Sequence, residues 1–203
     1  MSKKVEFFFD VGSPASYLAW TQLEGIAQRT NAKIIWRPML LGAVFQATGN
    51  ASPAVVPAKG AYMLKDLKRF SNIYGVPFNF NPFFPLNTMH LMRGATAYLE
   101  GPEFQTYLAA IFNALWSEQL NMESPEVVAE VLTKAGIDVT DFMARISETE
   151  VKERLKDTTE EAVARGVFGA PSFFVNGEMF FGQDRLSFVE IALRVALIGN
   201  GIA

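Results

Sequence analysis

The sequence predicts an α/β chain in which one four-stranded mixed sheet is interrupted by an all-helical insertion. Three observations predict it. An apolar run, Val5 to Phe9, passes into a helix start at Ser13-Pro14, and strand composition returns at Ala32 to Arg37, which gives β-α-β. Helical spacing of apolar residues then fills the middle, from about residue 60 to 166. Near the end, Ser172–Val175 and Glu178–Phe181 flank Asn176-Gly177, the strongest short hairpin signal, and a helix follows, which gives β-β-α. Neither half can bury both faces of a sheet alone, so the two are expected to share one. Residues 1–58 and 167–203 are therefore assigned to a discontinuous sheet domain and residues 59–166 to the helical insertion.

The elements follow from local chemistry. Asp10 and Gly12 end the first strand, and Ser13-Pro14 couples a capping hydroxyl to a proline whose missing N–H costs nothing at the first helical position. Tyr17, Leu18, Leu23, Ile26 and Ala27 carry that helix to about Thr30, a crossover long enough to join parallel strands. Pro38 bars a regular continuation of the second strand. Residues 38–58 read as a short helical turn over Leu40–Phe45 and then a long loop rich in Gly and Pro.

The insertion opens with a helix over 59–74, stopped by Gly75-Val76-Pro77. Residues 78–86, F-N-F-N-P-F-F-P-L, hold too many prolines for a central strand and form either an apolar substrate wall or a packed cover over the core. Helices are expected from Asn87 or Thr88 to Leu99, over Glu103–Trp116, Ser124–Ala135 and Asp138–Ile146, and from Glu148 to about Gly166. The last helix spans about Arg185 to Ile198.

Composition excludes several functions. Eighteen basic against 21 acidic residues leave a formal charge of −3, so no nucleic-acid footprint is present. The chain has no cysteine, which rules out disulfides, thiolate metal sites and any thiol chemistry of its own. No His-x-x-x-His, EF-hand, Walker or Gly-x-Gly-x-x-Gly pattern occurs, and His90, the only histidine, lacks nearby ligand partners, so no metal is expected. Glu6 and Asp10 interrupt the apolar stretch after Lys3-Lys4 and no long apolar run follows; the expectation is a soluble cytoplasmic protein with no membrane segment.

Two places are candidates for a site. A strand running into a helix N-terminus is where sheet folds hold anionic ligands or nucleophiles, so Ser13 is either a cap or an active-site group. The β-α-β and β-β-α halves bring that helix start beside Gly169-Ala170-Pro171. A cis peptide before Pro171 would leave the Ala170 backbone open to an extended ligand, whereas a trans proline at a strand start would not.

The ordered set F-F-F-D-V-G-S-P-A-S-Y-L-A, R-P-M-L-L-G-A-V-F, T-G-N, K-G-A-Y-M-x-x-D-L-x-R, V-F-G-A-P-S-F-F-V and F-F-G-Q-D-R-L resembles the 2-hydroxychromene-2-carboxylate isomerase family and its kappa-class glutathione transferase relatives. The resemblance implies a thioredoxin-like fold with a DsbA-type helical insertion. Thiol-disulfide members of that fold begin the first helix with Cys-Pro-x-Cys, where this chain has Ser13-Pro14-Ala15-Ser16. Disulfide exchange is thus impossible with its own groups.

By the same resemblance the cofactor is glutathione, and Ser13 donates to its sulfur and favours the thiolate. Lowering a thiol pKa from about 8.5 by about two units takes roughly 2.7 kcal/mol, within reach of one charged-acceptor hydrogen bond and a helix terminus. Ala170 before cis Pro171 would pair with the cysteinyl backbone, Gln183 and Asp184 would receive the γ-glutamyl end, and Asn50 and Lys59 would approach from the insertion side. Ala170 replaces the valine commoner in the family, which implies a somewhat wider pocket. The implied chemistry is reversible thiolate addition to an aromatic conjugated enone acid, interconverting 2-hydroxychromene-2-carboxylate and trans-o-hydroxybenzylidenepyruvate. Arg93 or Lys59 would meet the substrate carboxylate, and Phe83 and Phe84, with Phe78 and Phe80, would form the apolar wall. Glutathione transfer or peroxide reduction is the alternative activity, and a non-catalytic peptide-binding module is another. A homodimer acting on a small aromatic or electrophilic substrate is the expected assembly.

Overall fold

The computed structural model describes residues 3–195, and its sheet has the order β2-β1-β3-β4. Strand β1 (Lys3–Phe9) lies parallel to β2 (Ala32–Pro38) and antiparallel to β3 (Ser172–Val175), which pairs antiparallel with β4 (Glu178–Phe181). The mixed pattern follows from the connections. Helix α1 (Pro14–Thr30) returns the chain for a parallel partner, and Asn176-Gly177, at φ 52° and 86°, supplies the two left-handed residues of a tight hairpin. Pro38 is tolerated because it ends an edge strand.

Alternation along β1 sends its side chains into two cores. Val5, Phe7 and Phe9 join the larger one, where Phe7 stacks on Phe9 and Phe173 at ring separations of 5.0 and 5.2 Å. Phe8 faces the other side with Met39, Val44, Ala162, Val167 and Phe174. Glu6 shares that second face and accepts from both terminal nitrogens of Arg165 at 2.8 and 2.6 Å, while the Arg165 guanidinium sits 3.9 Å over the Phe174 ring. Arg37 and Glu161 pair beside them. Charges thus close the rim of a face that helices only partly cover.

Helices α2 (Leu41–Thr48), α3 (Pro57–Tyr74), α4 (Met89–Ala97), α5 (Phe104–Trp116), α6 (Pro125–Lys134), α7 (Val139–Arg145) and α8 (Thr149–Ala164) stand between β2 and β3, and α9 (Leu186–Val195) follows β4. Two boundaries differ from the sequence expectation. The helical turn expected over Leu40–Phe45 is an eight-residue helix closed by Gly49 at φ 71°, and α3 begins at Pro57, where proline takes the first helical position. The expected long loop shrinks to a short link holding a 3-10 turn, Pro53–Val55. The part of the last helix expected over 196–198 lies outside the described residues.

Residues 78–86 cover the core with one part and line a cavity with Phe84, Pro85 and Leu86. Phe78, Phe80 and Phe84 pack around Trp116, and fully buried Asn81 donates to the carbonyls of Leu115 and Leu120 while accepting from the Phe83 amide. An irregular segment can lie over a core only because such bonds replace a ladder. No described helix is long and apolar enough to cross a membrane.

The Glu6 pairs set a pH dependence. The hydrogen bond from Arg165 holds the Glu6 carboxyl below its usual value, with burial opposing. A depressed carboxylate contributes stability that is present above its unfolded pKa and lost as pH falls through the folded one. Glu6→Gln is expected to cost about 1–2 kcal/mol at neutral pH, with the gap closing on acidification below about pH 4, as read from denaturant melts of both proteins.

Candidate active site

The start of α1 is held from three sides. Ser13 adopts an extended backbone as N-cap, its amide donates to the Asp10 carbonyl at 3.0 Å, and Pro14 follows in the first helical position. Trp116 from α5 donates through Nε1 to the Val11 carbonyl at 2.8 Å, and the Val11 amide donates to the Met92 sulfur of α4 at 3.3 Å. Gly12 is required by close approach, since a Cβ there would lie 2.7 Å from the Thr88 methyl. The turn that presents Ser13 is therefore fixed by the insertion as well as by the sheet.

Asp10 is the hinge pin of this turn. Its two carboxylate oxygens accept from the Gly12 and Leu41 amides, each at 2.9 Å, tying the α1 start to the α2 start. Burial raises its pKa, and these amides with the Thr88 side chain pull the other way.

Ser13 itself is 4% exposed. Its Oγ accepts from the Ser16 amide at 3.1 Å and donates to the Ala170 carbonyl at 3.1 Å. The Ala170-Pro171 peptide is cis, and the Pro171 carbonyl accepts from the Gly182 amide. The two candidate places of the sequence thus meet in one hydrogen bond across 157 residues. Ser16, where disulfide exchangers carry their second cysteine, is fully buried and its hydroxyl has no partner among the described residues.

A cavity of about 850 Å³ opens over this junction. Residues 12–15 and 168–170, residues 181–184, the starts of α2 and α3 and residues 49–53 all contribute to its lining. Ser13, Asn50, Lys59, Ala170, Gln183, Asp184 and Phe84 all line it, and Pro171 is buried directly behind Ala170. Asn50 donates to the Phe168 carbonyl at 2.8 Å, clasping the loop before α3 to the loop before β3, and Asp184 pairs with Arg185. Tyr74 of α3 donates to the Gln183 carbonyl, and burial and the Asp184 charge raise its pKa.

Two expected substrate residues are not brought there. Arg93 lies in the second turn of α4, whose cap residue Thr88 reaches the cavity while Arg93 does not. Phe83 is 48% exposed and outside the lining, because the Asn81 turn directs Phe84, Pro85 and Leu86 inward instead. His90 is exposed and also outside it. Sequence reasoning in turn missed Asp10, Tyr62, Met63, Thr88, Phe168 and Phe181 as lining residues. Asp10 carried a local signal as an acidic residue in the turn before the capping serine, Thr88 carried one as a helix-start candidate, and Tyr62, Met63, Phe168 and Phe181 stand in the segments that carry the family resemblance. Among the described residues, no group of three His, Asp or Glu side chains could hold a metal ion.

Comparison with known proteins defines the class. A profile of the DSBA-like thioredoxin domain matches residues 4–194. The chain is 34% identical over 193 residues to a 2-hydroxychromene-2-carboxylate isomerase of Pseudomonas putida, covering 93% of each, and 30% identical over 203 residues to glutathione S-transferase kappa 1 of Rattus norvegicus, covering 93% of this chain and 90% of the rat protein. A solved 2-hydroxychromene-2-carboxylate isomerase superposes with a TM-score of 0.85 over 97% of both chains at 33% identity. At 17% identity and a TM-score of 0.76, a probable DsbA oxidoreductase of Streptomyces coelicolor shares the fold, covering 99% of this chain and 92% of its own. The chain belongs to the DsbA-like thioredoxin family, in the branch holding 2-hydroxychromene-2-carboxylate isomerases and kappa-class glutathione transferases. Its relatives there are enzymes acting on small molecules.

The orphan hydroxyl gives a direct test of the local energetics. A buried hydroxyl without a partner costs about 1–3 kcal/mol. Ser16→Ala is expected to raise stability by about 1 kcal/mol, read as a higher denaturation midpoint at unchanged slope.

Proposed function

We propose that the chain is a glutathione-dependent isomerase acting on an aromatic conjugated enone acid of the 2-hydroxychromene-2-carboxylate type. One observation carries the reading: the Ser13 hydroxyl and the Ala170 carbonyl meet at the lining of a cavity in a chain that has no thiol of its own. A site built like a disulfide exchanger, with serine where the reactive cysteine would stand, has use for a sulfur brought by a ligand.

The residues fit that ligand. Lys59 and Asp184 sit on the cavity lining, one in the first turn of α3 and the other just past β4, a charge pair suited to a tripeptide with carboxylates and an ammonium group. Ala170, immediately ahead of β3, offers backbone to an extended peptide, and Gln183 and Asn50 frame it. Bound glutathione would supply a thiolate that adds reversibly to the enone, so that the former double bond can rotate before the thiol leaves.

The chain's own part is binding and electrostatics. Ser13 donates to the sulfur, and the first-turn amides of α1 favour its negative charge. Phe84, Leu86, Tyr62 and Met63 form an apolar wall for a flat ring and keep water from it. Lys59 is the cation that the described residues place on the lining, and it takes the substrate carboxylate or that of the tripeptide, a role that the sequence divides between it and Arg93. The protein would work as a homodimer in the cytoplasm.

Kappa-class transferases among the relatives support a second reading, in which the same thiolate attacks an electrophile and the thioether is released. Turnover assays with a chromene carboxylate, an aryl halide and a hydroperoxide, each with and without glutathione, separate the two. Glutathione-dependent turnover of the chromene is expected, and turnover of the aryl halide alone would favour the transferase. Calorimetry showing no binding of millimolar glutathione would leave a peptide-binding module.

Ser13→Ala tests the serine. Loss of one hydrogen bond to a charged acceptor predicts a ten- to hundredfold fall in turnover, on the order of 1.5–3 kcal/mol, with glutathione affinity retained. Unchanged turnover near neutral pH would remove Ser13 from the mechanism.

A further inference from the structure

Asp10 is a buried carboxylate that the chemistry above leaves unused. It is 2% exposed, and both side-chain oxygens accept from backbone amides at 2.9 Å: Oδ1 from Gly12, closing a local turn one residue before Ser13, and Oδ2 from Leu41, the first residue of α2. Its backbone carbonyl takes the Ser13 amide as well. Two N–H donors, one on each oxygen, suit the ionised carboxylate rather than the acid. Burial raises its pKa, while the two amides and the Thr88 side chain lower it.

The bridge leaves little slack. Helix α2 has no cap of its own, since Leu40 stands at its N-cap without a side-chain bond, and Asp10 serves its first amide from a turn 31 residues earlier. At its other end α2 closes on Gly49, and Asn50 donates to the Phe168 carbonyl in the loop that leads to Ala170. Eight residues of helix, about 12 Å, thus form a strut between the two sides of the site, with Asp10 at one end. At Gly12 a Cβ would lie 2.7 Å from the Thr88 methyl and 3.3 Å from Asp10 Oδ1, so the turn has no room to shift toward either. Yet a carboxylate here repels a nearby thiolate and by its charge alone raises a thiol pKa. Its field works against the site, and only what it holds can favour it.

On the glutathione reading given above, we propose that Asp10 is a positioning residue: by bridging the Gly12 and Leu41 amides it fixes where the Ser13 hydroxyl stands relative to a ligand sulfur, and the alignment outweighs the repulsion of its own charge. It touches neither sulfur nor substrate and exchanges no proton with them. Asparagine has the same shape and cannot do this work, because its single oxygen meets one amide while its NH2 group faces the other N–H, donor against donor. The two effects of that substitution have opposite signs. Loss of the charge lowers the bound thiol pKa, and loss of the alignment raises it.

That sign is the test. Thiolate absorbance against pH, recorded on glutathione-saturated Asp10→Asn, is expected to give a thiol pKa about half to one unit above that of the unaltered protein, with turnover about tenfold lower and glutathione affinity, by calorimetry, within about threefold. A thiol pKa below the unaltered value would show the charge acting alone, and an unchanged one would leave Asp10 to the fold; either overturns the assignment. A second variant keeps the charge. Leu41→Pro removes the Leu41 N–H at a first helical position, where proline is accepted, and Leu40 already has the extended backbone, φ −90° and ψ 106°, that precedes a proline. Against Leu41→Ala, which trims the side chain and keeps the amide, Leu41→Pro is expected to raise the bound thiol pKa by about a quarter to half a unit. Equal values in these two overturn the assignment even if Asp10→Asn does not fold. Failure of the unaltered protein to bind glutathione would overturn it together with the reading on which it rests, whereas binding with no shift in the variants overturns the assignment alone.

Discussion

The contact between the start of α1 and the loop before β3 is the constraint on which the rest of the site depends. It exists because β1 is central: one edge takes β2 in parallel and the other takes β3 antiparallel, so the end of β1 and the start of β3 fall at the same end of the sheet. The register Phe8 to Ser172 puts Ser13 and Ala170 within one hydrogen bond of each other. The stacked rings of Phe7, Phe9 and Phe173 hold that register, since a slip of one residue would move them to the charged face.

The helical insertion bears on the site more than its distance along the chain implies. Trp116 and Met92 hold the Val11 backbone, Thr88 fills the space left by Gly12, and Tyr74 supports the Gln183 carbonyl. The sheet sets the polar part of the lining, and the insertion both braces it and supplies the apolar wall. Isomerases and transferases both stand among the relatives, as expected where one fold hosts more than one activity.

What could be read from the sequence was what local chemistry writes. Ser13-Pro14 announces a helix start wherever it stands, and Asn176-Gly177 announces a hairpin, because each rests on backbone geometry that few other residues accept. The helix starting at Pro57 was open to the same reasoning, but its proline stood in a run that looked like loop. Arg93 and Phe83 show the other limit. Their chemistry suited a substrate, yet whether they reach it depends on how α4 and the Asn81 turn pack, and no local pattern encodes that. Tyr62, Met63, Phe168 and Phe181 stand in segments that carry the family resemblance, but taken singly each reads as ordinary apolar packing until tertiary structure places it on a cavity wall.

The cavity draws its lining from residue 10 at one extreme of the chain to residue 184 at the other. During synthesis the lining cannot close until the hairpin has left the ribosome, so a nascent chain halted within the insertion would own a capped helix and no pocket. An intact pocket then reports on completed folding, and a chain broken anywhere between these limits and unable to reassemble would lack it even where every local helix had formed.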